Sequence, residues 1–345
     1  MNKVRLGKTE IVVSKNGFGA LPIQRISEED AVYLLRKAYD HGIRFFDTAR
    51  GYSDSEKKIG LAISGYIKRE DIVIATKTMA LDVKSFWDHL YTSLEMLQTE
   101  YIDILQFHTP PFTPKPGDGT GLYEAMLEAK EKGLIKHIGI TNHRLEVAKE
   151  AVVSGLYETI QFPFNYLASH KDLEIVELAK EYDLGFIAMK GLSGGLINKA
   201  DVAYAYLAQP MFDHVVPIWG VQREHELDDF LLCQDNPPAL NQERNAIIEK
   251  DRAQLIGSFC RGCGYCMPCP VGIQINQCAR MSLMIRRAPS NAWLSDTWQE
   301  NMHNIENCIH CNQCRSKCPY ELDTPNLLEQ NLIDYKNILE GKTKV

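Results

Sequence analysis

GIRFFDTARGYSDSEKKIG, residues 42–60, reads as a short apolar strand that runs into an amphipathic helix. The strand part is GIRFFDTA (42–49), and the helical segment lies around 55–66. The same order recurs on both sides. KNGFGA (15–20) precedes EEDAVYLLRKAYDHG, DIVIATK (71–77) precedes VKSFWDHLYTSLEML, and YIDILQFH (101–108) precedes GLYEAMLEAKEKG. Further on, IKHIGIT (135–141), ETIQFPF (158–164), GFIAMK (185–190) and HVVPIW (214–219) each precede a helical run.

That makes eight βα units. Their strands are continuously apolar, which means burial on both faces, as in a parallel sheet covered by helices. Eight such units in about 230 residues is the count at which the sheet closes into a barrel. An open doubly wound sheet would need fewer strands and a Gly-rich phosphate turn, and GFGA (17–20) does not have the G-x-G-x-x-G spacing. The expected fold is therefore α/β, a (β/α)8 TIM barrel over residues 1–235. CQDNPPALNQE (233–243) breaks the pattern, so 236–257 reads as linker and helix. A second, cysteine-rich domain is expected over 258–345.

Composition excludes several partner classes. The 345 residues are 45% hydrophobic and 24% charged with a net charge of -7, which gives no electrostatic reason to expect nucleic acid or an anionic membrane. No apolar run is long enough to span a bilayer. The start, MNKVRLGKTEIVVS, has no apolar core of signal-peptide length, so a cytoplasmic protein is expected. In a reducing cytosol, ten cysteines are expected to bind metal rather than form disulfides.

Catalytic groups in such barrels sit where strands end. The ends of the second, third and fourth strands carry Asp47, Lys77 and His108, with Tyr52 in the loop after Asp47. A tyrosine near an ammonium and an imidazole is expected to have a lowered hydroxyl pKa and to protonate a carbonyl oxygen. A carboxylate paired with the lysine holds it in place, and the histidine orients the carbonyl.

These residues resemble the aldo-keto reductase superfamily, (β/α)8 barrels that pass hydride between NAD(P)H and a carbonyl. FFDTARGYSDSEKKIG is similar to that family's Asp-to-Tyr signature, and Lys77 and His108 fall at its other two catalytic positions. The resemblance spans roughly residues 1–232. It implies Tyr52 as proton donor, tuned by Asp47 and Lys77, with His108 orienting the substrate. IGITN resembles the family's Ser-Asn segment, so Thr141, Asn142 and Gln161 are expected at the nicotinamide. Two positions depart from the family. Met189 stands where an aromatic ring usually stacks on the nicotinamide, and the last strand lacks the usual grip on a 2′-phosphate. Arg223 remains as a candidate phosphate contact, with a solvated helix-terminal arginine as the other reading.

The first 232 residues hold no cysteine, whereas nine follow from Cys260 onward. Cys308, Cys311, Cys314 and Cys318-Pro319 have the bacterial ferredoxin spacing, in which three thiolates wrap one [4Fe-4S] cube and the fourth reaches another. CRGCGYCMPCP, with Cys260, Cys263, Cys266 and Cys269, supplies the reciprocal run, its last gap one residue short. The economical assignment joins Cys260, Cys263, Cys266 and Cys318 on one cluster and Cys269, Cys308, Cys311 and Cys314 on the other. The short gap leaves a swap among the first four open, and Cys278 is spare. Zinc is the competing ligand, but it rarely needs three successive x2 gaps and a trailing Cys-Pro. Cys233 reads as a buried helix residue. The whole chain then resembles the aldo-keto reductase branch with a C-terminal ferredoxin-like domain.

The leading expectation is an oxidoreductase that reduces a carbonyl, or oxidises an alcohol, with NAD(P)H while two clusters trade electrons with a ferredoxin or another carrier. A ferredoxin-dependent reductase without nicotinamide, and an electron carrier with a scaffold barrel, are the alternatives. Clusters move single electrons and nicotinamide moves pairs, and the sequence carries no flavin motif to convert between them. HTPPFTPKPGDGTGLY (108–123) is expected to line the substrate pocket. Paired clusters suggest an oxygen-poor setting.

Overall fold

The computed structural model describes residues 3–255, 259–287 and 291–343. The expected boundary at 257–258 lies outside the described residues. Eight parallel strands close into a barrel: β3 (Gly17–Gly19), β4 (Phe45–Asp47), β5 (Val73–Thr78), β6 (Ile102–His108), β7 (Ile135–Thr141), β8 (Thr159–Pro163), β9 (Gly185–Met189) and β10 (Val215–Gly220). They pair in chain order, and β10 closes on β3 with Ile218 opposite Gly17 and Gly220 opposite Gly19. Burial runs along both strand faces: every residue of β4 and β8 is buried. The fold matches the (β/α)8 expectation.

Helices α1 (Glu28–Asp40), α2 (Ser55–Ile63), α3 (Val83–Leu97), α4 (Leu122–Glu131), α5 (Leu145–Val153), α6 (His170–Glu181), α7 (Ala200–Leu207) and α8 (Glu224–Asp235) follow the strands in turn. Local chemistry explains where they begin. Ser27 caps α1 by accepting from the Asp30 amide at 3.0 Å, and three acidic residues fill the first turn. Ala31, Leu34, Leu35 and Ala38 then form its buried stripe at helical spacing. In α6, Ser169 and Asp172 complete a capping box.

An antiparallel hairpin, β1 (Lys3–Arg5) and β2 (Val12–Ser14), was not foreseen. No helical run follows its three-residue strands to mark them as a unit. Its Val4, Leu6 and Val13 pack with Phe45, Ala75, Ile104 and Val216 and cover the barrel core. Gly7 bridges to Leu184 with φ +51°, and a Cβ there would overlap the Asp183 carbonyl oxygen and lie 2.5 Å from the Gly185 nitrogen. Gly7→Ala should therefore lower stability by about 1–3 kcal/mol, seen as an earlier urea midpoint at unchanged slope. An unmoved midpoint would mean that the hairpin does not seal the core.

The chain divides into two compact units, residues up to 191 with 200–240, and residues 192–199 with 241 onward. Residues 192–199, expected within the barrel span, thus group with the second unit. That unit is helical, with Gln242–Leu255, Met281–Arg287, Asp296–His303 and Thr324–Leu339 as its longer helices. Its core includes Ile273, Cys278, Met302, Leu328 and Tyr335. No helix among the described residues is long and apolar enough to cross a membrane.

Candidate active site and cysteine cavity

Parallel strands bring their carboxyl ends to one rim. Asp47 ends β4, Lys77 is the last but one residue of β5, His108 ends β6, Thr141 ends β7 and Met189 ends β9. Register sets Asp47 beside Ala75, Lys77 beside Gln106 and His108 beside Thr141. Tyr52 stands on the turn between β4 and α2.

The fully buried Lys77 ammonium donates to Asp47 Oδ1 at 2.7 Å and to the Thr48 carbonyl at 2.6 Å. Burial pushes Asp47 up and Lys77 down, and their contact opposes both shifts. Lys77 Nζ lies 5.3 Å from the Tyr52 ring centre, and that ring meets His108 edge-on at 5.7 Å. The expected quartet is therefore one cluster.

Its electrostatics correct one expectation. The Tyr52 hydroxyl is not lowered: desolvation, then Asp47, raise it well above the usual phenol. Lys77 does not offset these, since its hydrogen bonds go to Asp47 Oδ1 and the Thr48 carbonyl and the Asp47 charge beside it opposes its own. His108 cannot either. Desolvation, and then Lys77, push His108 down to about 3, so it is a neutral imidazole. Its buried Nδ1 has no hydrogen-bond partner among the described residues.

Behind the quartet runs an amide chain in which sequence reading named Gln161 but missed Gln106. Gln106 Nε2 donates to Gln161 Oε1 at 2.8 Å, and Gln161 Nε2 reaches Asp47 Oδ2 at 3.4 Å. The available signal was strand alternation, since Gln106 lies two residues before His108 and shares its face. Glu56 was also missed: it is buried on α2, accepts from Thr76 and pairs with Arg50. Both lie in stretches already read as strand and helix, where their roles depend on distant partners.

The expected nicotinamide residues are placed unevenly. Thr141 Oγ1 faces Met189 Sδ at 4.0 Å. Asn142 is buried, donates to the Pro110 carbonyl at 2.8 Å and accepts from the His143 and Arg144 amides. Arg223 precedes α8 with its side chain 65% exposed and 3.7 Å from Glu226. Glu226 already accepts from the Gln222 and Arg223 amides there. In the 108–123 loop, Tyr157 donates to the Pro114 carbonyl and Thr113 to Glu150, which ties its middle down.

In the second unit no cysteine among the described residues forms a disulfide. Cys266, Cys269, Cys308, Cys311 and Cys314 line one cavity with apolar walls such as Ile273 and Leu328. Cys260 interacts with Cys263 and Cys318, and Cys266 with Cys260, Cys263 and Cys314. Cys266 thus faces both groups. Burial, then neighbouring cysteines, push Cys266 up to about 12. Thiols so placed become thiolates only around a positive centre, and ringing a cavity suits a polynuclear cluster better than one zinc ion. The residues fit an iron-sulfur group. Cys278 stands apart, fully buried and directed at the Asn301 carbonyl 3.6 Å away.

Residues 15–215 match the aldo/keto reductase family model, and residues 259–323 match the 4Fe-4S dicluster domain model. Among its relatives, the aldo-keto reductase YhdN of Bacillus subtilis is 29% identical over 234 residues, covering 62% of this chain and 69% of its own length. The methylglyoxal reductase DkgB of Salmonella typhimurium is 27% identical over 230 residues, covering 61% of this chain and 84% of its own. An aldo-keto reductase from Klebsiella pneumoniae, solved in complex with NADPH, shares the fold with a TM-score of 0.60 at 21% identity, covering 72% of this chain and 94% of that one.

Proposed function

Because the chain belongs to the aldo/keto reductase family, we propose that its barrel transfers hydride between a nicotinamide dinucleotide and a small carbonyl or alcohol. The observation that carries this reading is Tyr52 held beside both Lys77 and neutral His108 at the strand ends. A bound nicotinamide supplies the hydride. Tyr52, protonated across the working pH range, donates its proton to the carbonyl oxygen as negative charge develops there. His108 offers a neutral N–H to the same oxygen, and the Lys77–Asp47 pair fixes the tyrosine's surroundings. In the oxidising direction Tyr52, as the phenolate, takes the proton from the alcohol oxygen.

Thr141, Asn142, Gln161 and Met189 would hold the nicotinamide, with Arg223 toward a phosphate. The Asn142 and Gln161 amides have protein partners now, so binding exchanges those contacts. DkgB's name supports a small carbonyl substrate, and NADPH, bound by the Klebsiella enzyme, is the first cofactor to test.

In the second unit, we assign Cys269, Cys308, Cys311 and Cys314 to one [4Fe-4S] cluster and Cys260, Cys263, Cys266 and Cys318 to the other. Their proposed role is single-electron exchange with a ferredoxin-like carrier. Cys314→Ala should then remove about half the bound iron and one set of cluster signals. Unchanged iron would exclude that ligand.

A second reading, reduction driven by ferredoxin without nicotinamide, is favoured by Met189 at the stacking position and by the exposure of Arg223. One anaerobic experiment separates the two. NADH and NADPH are titrated into iron-loaded protein while binding is followed by cofactor fluorescence. Saturable binding supports the hydride reading, and the absence of binding overturns it.

A further inference from the structure

The second unit buries an arginine that the proposed chemistry has not yet used. Arg280 is 5% exposed, and no carboxylate pairs with it among the described residues. Its Nη2 donates to the Gly194 carbonyl at 2.5 Å and lies 2.9 Å from Met284 Sδ. Its buried Nε has no partner among the described residues. Burial lowers its pKa, and the ionisable group opposing that shift is Cys260.

The surroundings are cut to admit this side chain. Gly262 has φ +64°, and a Cβ there would overlap Arg280 Nη1. Gly194 has φ +65°, and its Cβ would sit 3.0 Å from the same atom. Two glycines in left-handed conformations thus form a cradle that any other residue would fill. The Gly262 amide in turn points at Cys260 Sγ, 3.3 Å away.

A buried guanidinium without a counter-ion is costly, so some anion is expected beside it. A [4Fe-4S] group held by four thiolates carries net negative charge, and one unit more when reduced. We propose that Arg280 is the counter-ion and hydrogen-bond donor of the cluster held by Cys260, a positioning residue that favours its reduced form. Hydrogen bonds and charge near the sulfurs are recognised levers on cluster potential. The inference rests on the iron-sulfur reading above.

The test uses full-length protein loaded anaerobically, its iron and acid-labile sulfide counted, and its clusters titrated under EPR. Arg280→Gln should lower the reduced-to-oxidised ratio of one cluster about tenfold at fixed potential, equivalent to about 59 mV for a one-electron couple, and leave the other unmoved. Arg280→Lys, which keeps the charge, should move it less. In wild-type protein made with guanidino-15N arginine, pulsed EPR of the reduced cluster should show a 15N coupling that disappears in Arg280→Lys. If Arg280→Gln does not load iron, the wild-type coupling decides alone. An unshifted potential in a loaded Gln variant, or no coupling in wild type, overturns the inference while leaving the clusters in place. Wild type without iron and sulfide overturns the iron-sulfur reading itself.

Discussion

Tyr52→Phe should reduce kcat for carbonyl reduction about 10³-fold, within the range that a positioned general acid contributes. Iron content, cluster absorbance and cofactor affinity should not change. The substitution removes one oxygen and keeps the ring, so the edge-on contact with His108 and the Lys77 approach survive. What disappears is the proton source. Its elevated pKa means the wild-type hydroxyl is protonated throughout the working range, so tyrosine ionisation should not cut activity on the basic side of the profile. His108 should not shape the acidic side either, because desolvation and Lys77 push it down to about 3 and hold the ring neutral across that range. Retained turnover in the Phe variant would move proton delivery elsewhere. A kcat/KM limb near neutrality that vanishes in His108→Gln would show that an imidazolium carries the step.

Lys77→Met should produce the largest loss of stability, about 3–5 kcal/mol, the usual cost of leaving one partner of a buried pair alone. Asp47 would keep only the 3.4 Å contact from Gln161. Without the ammonium its carboxyl pKa rises further in the folded state, above the unfolded value of about 3.9. The folded state then binds more protons than the unfolded one, so stability should fall as pH rises from the unfolded pKa toward the folded one. Below that window the variant should approach wild type. Adding Asp47→Asn should recover much of the loss, because the uncompensated charge disappears with it. Urea melts at acid and neutral pH, on single and double variants, measure this directly. A pH-independent loss without rescue would mean that Lys77 matters through packing alone. Activity should drop in both variants, since the tyrosine loses the pair that frames it.

Much of this was readable along the chain, because the signals are local. Strand-then-helix periodicity is a property of a dozen neighbouring residues, and it recurs once per unit from residue 15 onward. The rim residues were readable for a related reason. In a parallel barrel every strand ends on the same side, so Asp47, Lys77 and His108 could be placed together without knowing any contact. The cysteine runs were read from spacing alone. The β1–β2 hairpin was not readable, since no helical run follows its three-residue strands to mark them as a unit. Gln106 was missed because its partner, Gln161, lies two strands away.

The sequence by itself determined the barrel, the four rim residues and the two cysteine runs, because each is encoded by short-range order. Tertiary structure alone decided the charge states and the partners. Tyr52 was expected to be acidified by Lys77, yet desolvation dominates and Asp47, paired with Lys77 at 2.7 Å, adds to it. Arg280 carries no local signal in the sequence; burial and two glycines, one of them more than eighty residues earlier in the chain, enclose it. Desolvation and pairing are sums over atoms that only folding brings together, and no local pattern of residues encodes such sums.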